Sequence, residues 1–133
     1  MSTRLLLPLV PLFLIGMANA DDCANAMTQA AMNQCAAQES KAADKELNTL
    51  YKRITARLKD NPEAKQLLVK AQRAWIGFRD AECSFSTSGV EGGSVYPMIH
   101  NGCITTLTKA RVQTFKIYLE CKEGDLSCPA PEA

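Results

Sequence analysis

Cysteine is the residue type with the clearest chemistry in this sequence. The six copies are Cys23, Cys35, Cys83, Cys103, Cys121 and Cys128. An even number of cysteines in a short chain from an oxidising compartment is typical of a disulfide framework. A zinc site is disfavoured, because the sequence has no Cys-x-x-Cys pair and only one histidine. We therefore predict three disulfides, no metal site and no cofactor.

Two pairings of these cysteines remain open. The sequential scheme, which we prefer for its short chain reach, joins Cys23–Cys35, Cys83–Cys103 and Cys121–Cys128. In the rival scheme, a bridge between Cys35 and Cys83 joins two antiparallel helices.

Other reactive side chains lie between Cys83 and Cys103. Ser94 follows two glycines and His100 comes six residues later, which only superficially resembles a nucleophile with its base. A serine enzyme also needs an orienting acid, and the sequence does not place one. We do not predict an enzyme.

The same segment, residues 84–102, contains four glycines, one proline and several serines, and it has no helical periodicity. We predict a long Gly/Ser-rich loop, and a long loop inside a compact domain is usually functional or disordered. Its polar side chains could donate hydrogen bonds to a partner protein. The predicted partner-binding residues are Ser94, Tyr96, His100 and Asn101.

The N-terminus has the three-part pattern of a secretory signal peptide. Arg4 precedes an apolar run from residue 5 to 15, and Ala18-Asn19-Ala20 forms a cleavage site. We predict cleavage after Ala20, a helical domain over residues 21–128, a disordered tail over 129–133, and a periplasmic or secreted location. Removal of Arg4 leaves equal numbers of acidic and basic side chains, so no basic field favours nucleic acid or a membrane surface.

Apolar residues recur at three- and four-residue steps in three stretches, which predicts three amphipathic helices. These helices must position the cysteines and the candidate partner-binding residues. The first predicted helix runs from Thr28 to about Leu58, the second from Pro62 to about Cys83, and the third from near Cys103 to about Cys121. The short connection around Asn61 predicts an antiparallel hairpin. The predicted fold class is all-α: an antiparallel helical hairpin plus a third helix, stapled by disulfides.

Two aromatic side chains lie on the apolar face of the second predicted helix. We expect Trp75 and Phe78 to pack against Leu47 and Tyr51 of the first helix, since aromatic residues at helical spacing usually supply buried area.

Two arginines, Arg79 and Arg111, lie beside apolar stripes, where a buried guanidinium needs a carboxylate partner. The candidate partners are Asp44, Asp80 and Glu82. We favour a structural ion-pair network that fixes helix packing over a ligand site.

Several of these residues belong to longer motifs. The sequence reads AQRAWI-x-FRDA-x-C over residues 71–83, ADKELN-x-x-Y over 43–51 and GGS over 92–94, and Cys103 is followed by Thr108-x-x-Arg111. Together these motifs resemble the LprI-like lysozyme-inhibitor family of small exported proteins. The match extends over nearly the whole chain after residue 20.

The resemblance implies a lysozyme as the partner and inhibition as the activity. The founding member of the family is a lipoprotein, whereas Asp21 and Asp22 here occupy the place of a lipid-bearing cysteine. The alternative is a periplasmic interaction or structural module without lysozyme inhibition. The balanced charge favours that alternative, because electrostatic steering towards a basic lysozyme would favour an acidic inhibitor.

Overall fold

The computed structural model describes residues 23–132, so the predicted signal peptide lies outside the described residues. Three long helices occur in residues 23–132: α1 is Gln29–Arg57, α2 is Pro62–Ser86 and α3 is Tyr96–Glu120, with a short 3-10 helix at Ser88–Val90 between α2 and α3. No strand occurs in this range. The prediction of an all-α, disulfide-stapled fold is confirmed.

The first two helices begin where the sequence predicts. The Thr28 hydroxyl oxygen accepts a hydrogen bond from the Ala31 N–H at 3.1 Å, and the Asn61 side-chain oxygen accepts one from the Ala64 N–H at 3.1 Å. Pro62 occupies the first turn of α2. These caps satisfy N–H groups that have no partner inside the helix.

The third helix begins seven residues earlier than predicted, at Tyr96 instead of Cys103. Pro97 lies in its first turn, where a missing N–H costs nothing and the fixed φ angle suits a helix. That preference outweighs Gly102, which costs about 1 kcal/mol in a helix relative to alanine. The predicted long loop is therefore wrong in its second half, and the connection shrinks to residues 87–95.

The helices run up, down and up. Asn33 near the start of α1 contacts Ser94 beside the start of α3, and Arg57 at the end of α1 contacts Leu119 near the end of α3, so α1 and α3 are parallel. α2 runs against both. The closest helix pair is α1 with α3, because these two helices supply most of the buried apolar side chains. The core cluster is Leu47, Leu50, Ile54, Leu58, Val112, Phe115, Leu119 and Ala130.

Helix α2 lies at the edge of this core. Its Trp75 and Leu68 pack against the core cluster, as does Tyr51 of α1. Phe78 is 57 % exposed, so the prediction that it packs in the core is wrong. The inward line of α2 continues from Trp75 to Arg79, whose side chain is only 12 % exposed. Phe78 lies on the flank of that line, and α1 and α3, which already share their core, offer α2 only one face.

The bridges in the structure are Cys23–Cys35, Cys83–Cys103 and Cys121–Cys128, which is the sequential arrangement. The last bridge turns the chain back after α3. Ala130 is only 1 % exposed, and its carbonyl oxygen accepts a hydrogen bond from Arg57 at 3.2 Å. The chain after the bridge therefore touches the core at Ala130, whereas Pro129 and Glu132 are exposed; disorder of residues 129–133 stays a prediction.

None of the helices described is both long enough and apolar enough to cross a membrane.

Replacing the ring at the centre of the core tests this packing. Phe115 is fully buried, so Phe115→Ala is expected to lower the free energy of unfolding by about 3–5 kcal/mol through lost burial and a cavity. The control is Ile117→Ala on the outer side of α3, where the side chain is 64 % exposed and the expected loss is below about 1 kcal/mol. Urea unfolding followed by circular dichroism measures both. Equal losses in the two variants would contradict the assignment of the core.

Candidate functional site

The end of α2 and the start of α3 meet in a corner, which we define as residues 86–101. The buried Thr87 hydroxyl donates a hydrogen bond to the Cys83 carbonyl oxygen at 2.6 Å where α2 ends. Gly92 then adopts a φ of 80°, a conformation that glycine reaches without steric cost. The Cys83–Cys103 bridge closes the base of the corner. The corner is therefore short and tied at both ends.

The start of α1 supports the corner from the side. The Asn33 side-chain amide donates to the Ser94 carbonyl oxygen at 2.9 Å. The Gln29 side-chain amide contacts the Met98 sulfur at 3.8 Å. The sequence does not reveal this support, since no local pattern relates residues more than 60 positions apart.

The structure brings two of the four predicted partner-binding residues into direct contact. Tyr96 and His100 lie one turn apart on α3, with ring centroids 5.2 Å apart. Ser94 is exposed just before the helix. The Asn101 side-chain amide donates to the Pro97 carbonyl oxygen at 2.9 Å. The prediction that His100 and Asn101 belong to a loop is wrong, because α3 already includes them.

This arrangement suits recognition of another protein surface. Tyr96 and His100 offer aromatic faces with polar tips, a combination common in interfaces. Ile99 beside them is 42 % exposed and adds apolar area. Within residues 23–132, no cluster of three or more histidine, cysteine, aspartate or glutamate side chains is placed to bind a metal ion.

The motif over residues 71–83 places a second group of side chains on the inward face of α2. Gln72, Trp75, Arg79 and Cys83 recur at three- and four-residue steps, so they lie in one line along the helix.

Arg79, with a side chain only 12 % exposed, links α2 to the two other helices. Its guanidinium donates to Asp44 on α1 at 2.9 Å, to Thr108 on α3 at 3.2 Å and to the neighbouring Asp80 at 3.0 Å. Two of the three candidate carboxylates are thus its partners.

Arg111 on α3 has no carboxylate among its contacts in the described chain. Its guanidinium lies 4.7 Å from the Phe115 ring centroid and 5.8 Å from that of Trp75, and its Nε donates to the Gln72 side-chain oxygen at 3.1 Å. Burial lowers the pKa of Arg111 below its ordinary value, and the Tyr118 hydroxyl partly offsets this effect. The group stays charged at neutral pH, because a guanidinium deprotonates only far above it.

Trp75 is therefore in contact range of two guanidinium groups, since Arg79 is 5.2 Å from its ring centroid. Gln72 and Thr108, both buried, have roles that were not predicted from the sequence. Gln72 shares the spacing of Trp75 and Arg79, and that spacing was the available signal. Thr108 had no such signal, because its partner belongs to another helix.

A conservative change at Arg111 tests the stack. Arg111→Lys keeps the charge but loses the planar contact with two rings and the fixed geometry of the Gln72 bond, so we expect a loss of about 1 kcal/mol in the free energy of unfolding. Arg73→Lys on the exposed side of α2 is the matched control, with an expected change within about 0.5 kcal/mol. Both are measured by urea unfolding. Unchanged stability of Arg111→Lys would contradict a role for the stack.

Comparison with known proteins supplies the context for this geometry. The family model described as lysozyme inhibitor LprI matches residues 20–115. An uncharacterised protein of Rhizobium meliloti (strain 1021) is 37 % identical over 114 residues, which cover 77 % of this chain and 82 % of that protein. No solved structure matches. With a family match over most of its length, on a chain whose motif residues hold the three helices together, this protein belongs to the LprI lysozyme-inhibitor family.

Proposed function

We propose that this protein is exported and binds a lysozyme, and that the corner blocks access to the active-site cleft. The family match supports the kind of partner. The three disulfides support a location outside the reducing cytoplasm. The observation that carries the choice of the corner is its bracing, by the Cys83–Cys103 bridge on one side and by Asn33 on the other.

A braced corner binds with little loss of conformational entropy, because its backbone is already ordered before the partner arrives. Lysozyme's cleft holds two carboxyl groups with different roles in catalysis. The Tyr96 hydroxyl and the His100 ring N–H are donors that can reach towards such acceptors from the start of α3, where both side chains are partly exposed. Ile99 supplies apolar contact at the same edge.

The decisive experiment compares corner variants in a lysozyme assay. The combined variant Ser94→Ala, Tyr96→Ala, His100→Ala is expected to lose at least tenfold in inhibitory potency while keeping the helical circular dichroism of the wild type, because it removes the polar and aromatic contacts. Turbidity loss of bacterial cells measures lysozyme activity, with several lysozyme types tested.

The control is a triple variant on the exposed face of α1, Asn48→Ala, Thr49→Ala, Lys52→Ala, which should inhibit like wild type. If the corner variant also inhibits like wild type, the corner is not the contact surface. Reduction of the disulfides should abolish inhibition by releasing the corner.

The second candidate function is an interaction module of the cell envelope that does not inhibit lysozyme. The exposed apolar side chains of α2 favour it, since Leu67, Phe78 and Phe85 are all more than half exposed. Lack of inhibition of every lysozyme type by folded, oxidised protein would decide for this candidate.

A further inference from the structure

The outward face of α2 carries an apolar line, which we call the outer stripe. Its large members are well exposed: Leu67 at 67 %, Phe78 at 57 % and Phe85 at 76 %. The alanines between them are exposed as well. The stripe consists of Leu67, Ala71, Ala74, Phe78, Ala81 and Phe85.

These positions alternate in steps of four and three residues. Leu67, Ala74 and Ala81 are seven residues apart, as are Ala71, Phe78 and Phe85. A seven-residue repeat of this kind forms a continuous seam between two packed helices. Helices α1 and α3 bury their regular apolar lines in the core, whereas nothing in the described chain covers the outer stripe of α2.

We propose that the outer stripe is a self-association surface, on which a second copy of this chain docks with its α2 antiparallel to the first.

The stripe is symmetric about residue 76, so a two-fold axis there brings it onto itself. Leu67 then faces Phe85 of the second copy, Ala74 faces Phe78 of the second copy, and Ala71 faces Ala81 of the second copy. Each phenylalanine therefore faces a leucine or an alanine of the second copy, and the facing alanines allow the two helices to approach closely. A two-fold interface requires this self-complementarity.

A cavity beside the stripe fits the same register. It has a volume of about 260 Å³ and opens between α2, the end of α1 and residues 129–130. Leu67 and Ala71 lie at its rim, and Ile54, Leu58 and Tyr118 line it. Under the two-fold axis, the exposed ring of Phe85 from the second copy approaches this rim. Each copy thus offers the Phe85 ring to the partner and receives the partner's Phe85 ring at its own cavity.

The charges along the stripe favour the antiparallel direction. Lys70 and Arg73 lie before residue 76, and Asp80 lies after it on the same flank of the helix. Antiparallel docking brings Lys70 and Arg73 of one copy towards Asp80 of the other, a carboxylate that also pairs with Arg79 of its own chain. Parallel docking would set like charges together and would move Phe85 away from the cavity.

The size of the surface indicates a reversible dimer. Two phenylalanines and one leucine from each copy, at more than half exposure, together with the alanines, would bury on the order of 1,000 Å² in total. That area lies near the lower limit for specific interfaces. The dimer should therefore dissociate on dilution.

Sedimentation equilibrium of the oxidised protein, from micromolar to millimolar concentration, tests the proposal. Wild type is expected to shift from monomer to dimer mass across the series. Phe78→Glu is expected to raise the dimer dissociation constant at least tenfold, because it places a charge in the centre of the seam. The matched control is Ile117→Glu, which adds the same charge at a similarly exposed apolar position on α3 and should dimerise like wild type.

Three results would overturn the proposal: monomer mass throughout the series, a dimer unaffected by Phe78→Glu, or a dimer that lysozyme dissociates stoichiometrically. The last result would assign the stripe to lysozyme. If the dimer proposal fails, the corner proposal can still be tested separately. Phe78→Glu should keep full lysozyme inhibition if the corner is the surface that binds lysozyme.

Cysteine cross-linking tests the register. When Ala71→Cys and Ala81→Cys variants are mixed and oxidised mildly, with the native bridges intact, the mixed dimer should form at least fivefold faster than either like pair. Equal rates for all three pairs would contradict the antiparallel arrangement.

Discussion

Two guanidinium groups and one indole ring join α2 to the rest of the molecule. Arg79 and Arg111 both lie against the Trp75 ring, and each also bonds to a second helix, Arg79 through Asp44 and Arg111 through Gln72. These contacts are directional, unlike the apolar packing of the core between α1 and α3. They set the height and rotation of α2, and through Cys83 they set the position of the corner as well.

The motif over residues 71–83 has two faces for this reason. One face carries Gln72, Trp75 and Arg79 and packs against α1 and α3. The other face carries Phe78 and small residues and remains exposed. A charged and partly polar inner face can hold α2 in place without burying all its apolar side chains, which leaves the outer stripe free for another chain.

The corner and the outer stripe are separate surfaces on one rigid support. The corner is built from polar and aromatic groups at the end of the bundle, and the stripe is an apolar line along its side. A dimer through the stripe would carry two corners. Binding through one corner would then leave the other available, so self-association could increase avidity for a partner that presents several sites.

Local periodicity, capping residues and the number of cysteines were enough to predict the helical class, the caps at Thr28 and Asn61, and the disulfide framework. They were not enough to predict where α3 begins, since the preference of Pro97 for a first turn competed with the glycines around it. They also left open which side of α2 is buried. The packing of the three helices settles that side, because α1 and α3 pack most closely with each other and leave α2 a single face to bury, the one that carries Trp75 and Arg79.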